Sequence, residues 1–114
     1  MIQAIQVVTT TAAKADAERI ARTLIEQRLA ACAQVSGPIT SCYRWQGRLE
    51  TAEEWLCTIK TRADAYAAVE QAIRREHPYQ EPEILATPVI AGSTSYLAWL
   101  AGEVAPTAGP QQAV

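Results

Sequence analysis

One short stretch of the sequence carries most of the side chains that could bind a metal ion or move a proton. The segment EHPYQEPE contains His77, the only histidine, together with Glu76, Glu81 and Glu83. Imidazole and carboxylate groups bind divalent metals, and the same groups act as general acids and bases. The competing interpretation is that the glutamates form a solvated rim and that His77 is an ordinary loop residue.

The three cysteines, Cys32, Cys42 and Cys57, follow no zinc or redox spacing. An odd count without a CxxC pair predicts reduced thiols and, because the N-terminus does not resemble a signal peptide, a cytoplasmic location. One histidine and three scattered cysteines do not complete a four-ligand site in one chain, although a site shared between subunits stays open. A small hydrolase or isomerase that pairs Cys32 or Glu83 with His77 is a further hypothesis.

Large aromatic side chains form the second distinctive feature. Tyr43, Trp45 and Trp55 lie on or near a predicted long hairpin. Exposed aromatics are typical of interfaces, which favours assembly of several copies, whereas packing under the first helix is the alternative. The third predicted strand begins after two acids, and the chain has no phenylalanine, so the pattern of an RNA recognition motif is absent from the sequence.

Composition excludes several classes of partner. The chain has 114 residues, ten basic and twelve acidic, and a formal net charge of -2. Such a balance does not attract nucleic acid or an anionic membrane, and no apolar run is long enough to cross a bilayer. The length fits one domain, which we expect to occupy residues 1–103, followed by a disordered tail at 104–114.

The side chains above are positioned by elements that the periodicity predicts. In chain order these are a strand at 2–8, a helix at 14–31, strands at 32–45 and 55–60, a helix ending before Pro78, a strand at 84–90 and a short helix from Gly92 onward. This order predicts an α+β, ferredoxin-like βαββαβ fold with an extra C-terminal helix.

Local signals refine these boundaries. Ser36, Gly37 and Pro38 predict a bulge in the second strand, and Gly47 with the polar run 50–53 predicts the hairpin turn. Thr61 and Asp64 have the spacing of a helix capping box. Pro82 and Pro88 favour an edge position for the last strand.

Six short strings carry a resemblance to a known family. They are LAACA at 29–33, TSCYRWQGR at 40–48, KTR at 60–62, HPY at 77–79, PEI at 82–84 and YLAWL at 96–100. With these strings the chain resembles the divalent-cation tolerance protein CutA family over almost the whole domain.

The resemblance implies a tight homotrimer similar to the PII signalling proteins, no established enzymatic activity, and a role in tolerance of divalent metals, with copper the ion most often linked to the family. It also implies a cleft between subunits. The cleft residues that match are Cys32, Trp45, Lys60, His77, Tyr79 and Glu83.

Two functional hypotheses follow. The first is a non-enzymatic homotrimer of metal tolerance that requires no cofactor and binds copper or another divalent cation through His77, Glu76, Glu83 and Cys32. Trp45, Lys60 and Tyr79 then line the cleft. The alternative is a PII-like trimeric regulator that binds a small anionic metabolite there and signals to a protein partner.

Overall fold

The computed structural model describes residues 3–106, which form four strands and three α-helices. The strands are β1 (Ala4–Thr11), β2 (Cys32–Trp45), β3 (Arg48–Arg62) and β4 (Leu85–Pro88). The helices are α1 (Lys14–Glu26), α2 (Tyr66–Glu76), which follows a 3-10 turn at Ala63–Ala65, and α3 (Thr94–Glu103).

The strands form a single antiparallel sheet in the order β2-β3-β1-β4. This is the order of a ferredoxin-like fold, so the predicted α+β architecture is confirmed. The edge position predicted for the last strand is also confirmed, although β4 covers only Leu85–Pro88 rather than 84–90.

The two faces of the sheet are covered unequally. Side chains alternate along a strand, and one face presents Ile5, Val7, Cys57 and Ile59 to α1 and α2, where they form the core. The opposite face, called here the open face, carries Val8 and Leu56, which are only half-buried. Helix α3 lies over one end of the open face, and the loop after α2 covers Thr10 and Glu54, whereas Val8 and Leu56 between them stay only partly covered in a single chain.

A β-bulge in β2 decides which face the hairpin aromatics occupy. Ser36 pairs with Leu56 and Ile39 pairs with Glu54, so β2 carries one residue more than β3 between these pairs. The extra residue reverses the alternation, because side chains change face at every step. Beyond the bulge, Tyr43 and Trp45 therefore lie on the open face, and the predicted bulge is confirmed.

One local expectation is confirmed in part and another is wrong. The hairpin turns at Gln46 and Gly47, which have φ values of 51° and 79°, so the turn predicted at Gly47 is confirmed, whereas the polar run 50–53 belongs to β3. Two consecutive residues with positive φ match the twist of a tight hairpin. The predicted capping box is absent from the described α2: Thr61 belongs to β3, and its hydroxyl donates to the Leu29 carbonyl oxygen at 2.6 Å.

Helix α1 ends at Glu26, five residues earlier than predicted. Arg28 adopts φ 58°, and the Leu29 amide donates to the Leu24 carbonyl at 2.9 Å, which closes the helix in a Schellman motif. The Arg28 side chain then donates to the carbonyl oxygens of Gly102 and Glu103, both at 3.2 Å.

The chain stays packed slightly beyond the predicted domain end at 103. Val104 is 3% exposed and belongs to the core, and the Ala105 amide donates to the Arg28 carbonyl oxygen at 2.8 Å. Both residues were expected to lie in a disordered tail, which is wrong for these two positions. The part of that prediction that concerns residues 107–114 lies outside the described residues.

Replacing Gly37 by alanine tests the bulge. Gly37 has φ +145°, and a Cβ there would lie 3.0 Å from Cε3 of Trp55 and 3.1 Å from the Glu54 carbonyl oxygen. We expect Gly37→Ala to lower the free energy of unfolding by about 1–3 kcal/mol, measured by urea denaturation at fixed protein concentration. The control is Gly102→Ala, because nothing lies within 4 Å of its added Cβ. Equal stability of the two variants would contradict the role of Gly37.

Candidate functional site

His77 is a buried structural residue that fixes the loop after α2. Its Nε2 lies 2.7 Å from the Thr10 carbonyl oxygen, and the Tyr79 amide donates to its Nδ1 at 3.1 Å. Since the amide can only donate, Nδ1 is the acceptor and Nε2 carries the proton that is donated to Thr10. Both ring nitrogens are therefore engaged, and neither offers a free lone pair to a metal ion.

Tyr79 continues this chain of hydrogen bonds towards the hairpin. Its hydroxyl donates to Oε2 of Glu54 at 2.7 Å, and its ring centroid lies 4.7 Å from that of His77. Burial, followed by the hydrogen bond to Glu54, raises the pKa of Tyr79 well above its ordinary value. Tyr79 is thus held as a neutral donor, and its ring and hydroxyl are both fixed.

Glu54 is the site residue that sequence reasoning missed. It is only 6% exposed, although the sequence showed it merely as one of two acids before the third predicted strand. The signal that could have found it is the alternation in β3, since Glu54 stands two residues before Leu56 and four before Thr58, on the open face. On that face the Glu54 carboxylate meets the hydroxyl of Tyr79.

A groove with a volume of about 640 Å³ opens beside this pair, between the hairpin and the loop 77–83. It contains Trp45, Tyr79 and Glu83 of the predicted cleft residues, together with Glu54 and Glu81. The complete lining consists of Thr10, Ser41, Cys42, Tyr43, Trp45, Glu54, Tyr79, Gln80, Glu81 and Glu83. Three carboxylates line it, and among the lining residues of the described chain there is no lysine, arginine or histidine.

The hairpin aromatics divide into two groups. Tyr43 and Trp45 are 43% and 42% exposed, as the interface hypothesis expects. Trp55 instead lies on the core side of the sheet, half-buried, with Nζ of Lys14 5.4 Å from the centre of its ring. For Trp55 the alternative interpretation, packing near the first helix, is therefore the correct one.

The predicted ligand set is not assembled within one chain. Glu76 forms an ion pair with Arg19, Nε to Oε1 at 2.9 Å. Cys32 pairs with Lys60 in the sheet, whereas Thr10, beside His77, pairs with Leu56. The two partners on β3, Leu56 and Lys60, are four residues apart, which corresponds to about 13 Å along the strand. In the range 3–106 no group of three or more His, Cys, Asp or Glu residues is arranged to hold a metal ion.

The same separation removes the pairing of Cys32 with His77, one of the two pairings of the hydrolase hypothesis, within one chain. Lys60 lies at the same end of the sheet as Cys32, its partner in the strand register. Its Nζ is 6.0 Å from the centre of the Tyr96 ring. Cys57 is fully buried, and burial raises the pKa of its thiol to about 11, which makes it unreactive. Cys42 and Cys57 do not face each other across the hairpin, since they pair with Thr51 and Val35.

The pair formed by Tyr79 and Glu54 generates a prediction. Tyr79→Phe leaves Glu54 buried without its donor, so we expect a loss of about 1–3 kcal/mol in the free energy of unfolding at pH 7. Because the folded-state pKa of Tyr79 is raised, its contribution is complete below the ordinary value of 10.0 and is lost as the pH rises above it. In urea denaturation from pH 8 to about 11, the free energy of unfolding should fall less steeply with rising pH in the variant than in the wild-type protein.

The matched control is Tyr96→Phe on α3, because the Tyr96 hydroxyl makes no hydrogen bond within the described part of the chain. This variant should keep both the stability and the alkaline loss of the wild-type protein. An identical alkaline loss in Tyr79→Phe and wild-type protein would contradict the assignment.

Comparisons with known proteins agree with this fold. Residues 5–103 match the family of the CutA1 divalent ion tolerance protein. The chain is 42% identical over 84 residues to the divalent-cation tolerance protein CutA of Thermus thermophilus, which covers 74% of this chain and 82% of that protein. The human protein CutA is equally similar over 84 residues, but the chain spans only 47% of its length.

Solved structures give the same result. The crystal structure of CutA1 from Oryza sativa superposes with a TM-score of 0.90 at 33% identity and covers 93% of this chain and 97% of that one. A CutA structure from Archaeoglobus fulgidus, described as periplasmic, has a TM-score of 0.86 at 34% identity and covers 90% and 99%. The cytoplasmic location therefore stays a prediction, and none of the helices within residues 3–106 is long and apolar enough to cross a membrane.

The family match at residues 5–103 includes the hairpin and the loop that form the groove. The matching family and the Thermus thermophilus relative are named for tolerance of divalent ions. The chain belongs to the CutA1 divalent ion tolerance protein family.

Proposed function

We propose that the chain acts without catalysis in divalent-cation tolerance, as a homotrimer whose subunits meet through the open face of the sheet. The observation that carries this proposal is the uncovered apolar surface at that face. Leu85, Tyr43 and Trp45 lie on that face by the register of their strands and are 60%, 43% and 42% exposed. Apolar side chains that cluster on one face are typical of an interface between subunits.

The sheet edges support the same arrangement. β2 and β4 are the two edge strands, and β4 has only four residues. An unpaired edge invites pairing with another chain, and a closed ring of copies removes such edges. We infer the number of subunits, three, from the family resemblance. We infer the need for a partner subunit from the exposed apolar side chains of the open face.

The groove is the candidate site for a divalent cation. Of the four ligands expected from the sequence, only Glu83 lines it, and Glu81 and Glu54 add carboxylates. Carboxylates suit magnesium, manganese and zinc, whereas copper favours thiolate and imidazole, and Cys42 is the only thiol in the lining of the described chain. The residues present therefore do not fit a copper site in one chain.

A neighbouring subunit would have to complete the coordination with further donors. In such a shared site Cys32, Lys60 and His77 stand in the roles that the resemblance gives them, as residues of the cleft between subunits. The PII-like alternative is not proposed, because a groove lined by three carboxylates and no base disfavours an anionic metabolite.

The oligomeric state is the first test. Light scattering of the wild-type protein at micromolar concentration should give three times the chain mass of 12.4 kDa. Leu85→Glu places a charge on the open face and should shift the population to monomers. Ile25→Glu, on α1 and 40% exposed, is the matched control and should stay trimeric. A wild-type protein that is monomeric under these conditions would contradict the proposal.

Calorimetric titration tests the cation site. Metal-stripped protein should bind zinc or magnesium, and Glu83→Gln should weaken that binding at least about tenfold by removing a charged ligand. Glu26→Gln, an exposed acid on α1, is the control and should bind as the wild type does. Absence of binding for copper, zinc and magnesium alike, or equal affinity in Glu83→Gln, would refute the groove as the metal site.

A further inference from the structure

The C-terminal end of α2 lacks the usual left-handed helix cap. Its last residue is Glu76, and His77, which follows, has the extended backbone angles φ -84° and ψ 133°. The final carbonyl groups of a helix have no partner inside it, and a left-handed residue after the helix commonly folds the backbone over them. Pro78 comes next and has no amide hydrogen to donate. The Glu76 carbonyl oxygen therefore needs a donor from elsewhere in the fold.

Arg19 of α1 supplies that donor. Its Nη2 donates to the Glu76 carbonyl oxygen at 2.6 Å, and its Nε donates to Oε1 of the same residue at 2.9 Å. Its Nη1 donates to Oδ1 of Asp16, one turn earlier on α1, at 2.7 Å. Because every nitrogen of the guanidinium group is engaged, its plane is fixed. One side chain of α1 thus holds both the backbone and the side chain of the last residue of α2.

The loop 77–83 begins at this anchored point. Its first residue, His77, bonds to Thr10 and accepts from the Tyr79 amide, as described above. Glu81 and Glu83, which line the groove, stand on either side of Pro82, which is buried. Since His77 is covalently joined to Glu76, movement of the helix end would displace the ring that fixes the rest of the loop.

The competing interpretation is an ordinary surface ion pair, and such pairs contribute little to stability. The bond to the main-chain carbonyl distinguishes Arg19 from such a pair, because a positive group at the C-terminus of a helix also meets the negative end of the helix dipole. Arg74 and Arg75 lie in the last turn of α2, but neither donates to this carbonyl oxygen within residues 3–106. The contact therefore has no substitute on α2 itself.

We propose that Arg19 is a positioning residue for the groove: it fixes the C-terminal end of α2, so that the loop 77–83 holds Glu81 and Glu83 in one arrangement. The consequence for a bound cation rests on the proposed function. The positioning itself rests on contacts within the described chain, and it applies whether one subunit or several complete the coordination. Glu76, expected from the sequence as a ligand, is instead the residue through which Arg19 holds the loop.

Amide hydrogen exchange of the intact, metal-free protein, followed by NMR, tests the positioning. The Tyr79 amide is the reporter, because its acceptor is Nδ1 of His77, the residue next to Glu76. Arg19→Gln should make this amide exchange at least about tenfold faster, since the loop then opens without global unfolding. The Val7 amide, in the inner strand β1, should keep its wild-type rate. Arg19→Lys keeps the charge but loses the fork of donors, so it should restore only part of the protection.

Calorimetric titration with zinc connects the loop to the site. Arg19→Gln should bind zinc about threefold or more weakly than the wild type, because the ligands of the loop are no longer held in place. Two controls make the same change of charge. Arg22→Gln alters an exposed residue of α1 that has no ion pair within the described chain, and Arg74→Gln removes the pair with Glu70 inside α2. Both should keep the wild-type exchange and zinc affinity.

The outcomes separate this inference from the proposed function. Unchanged exchange of the Tyr79 amide in Arg19→Gln would overturn the inference. Equal acceleration of the Tyr79 and Val7 amides would also overturn it, because Arg19 would then stabilise the whole chain. Faster exchange at Tyr79 with unchanged zinc affinity would detach the loop from the site and contradict the inference. A wild type that binds no zinc would count against the cation site, whereas faster local exchange in Arg19→Gln would still support the positioning role.

Discussion

The structure depends on one constraint: the sheet has two faces, and α1 and α2 cover only one of them. The covered face holds the core, including Val7, Cys57 and Ile59, and supplies the apolar burial that stabilises the chain. α3 shields one end of the open face. Whatever remains must either meet water or meet another molecule, and the exposed apolar surface and the acidic groove are both parts of that remainder.

The bulge in β2 determines what the open face presents. Without the extra residue between Ser36 and Ile39, Tyr43 and Trp45 would point to the opposite side of the hairpin. Instead they line the same groove as Glu54, which the loop after α2 holds through Tyr79. A backbone irregularity and a fixed loop thus build one groove from segments that are separated by more than 30 residues in the chain.

Periodicity was sufficient for the fold, because the burial of alternate or every third to fourth residue is a local property of the sequence. It was not sufficient for element ends. Thr61 has the form of a helix cap but donates to Leu29, a contact that only the folded chain creates. The end of α1 depends on the positive φ of Arg28, and arginine gives no sign of such a conformation.

The site was predictable only in part for the same reason. The segment around His77 was found from its residue types, but its hydrogen bonds to Thr10 and Tyr79 make it a structural support instead of a free ligand. Glu54 was missed because its burial depends on the pairing of β3 and on a loop 25 residues away. Cys32 and Lys60 lie four strand residues away from the position beside His77. This separation depends on strand pairing, which the sequence motifs do not specify.

Arg28 joins the C-terminal end of α1 to the C-terminal end of α3. Its backbone closes α1, its carbonyl receives the amide of Ala105, and its guanidinium holds the last carbonyls of α3. The final helix is therefore locked by a residue near the start of the sequence, and it cannot detach without exposing Val104 and freeing the first helix terminus. Loosening of the C-terminal end of α1 therefore also frees the C-terminal end of α3, and the reverse is equally true. These two segments should open and close as one cooperative unit.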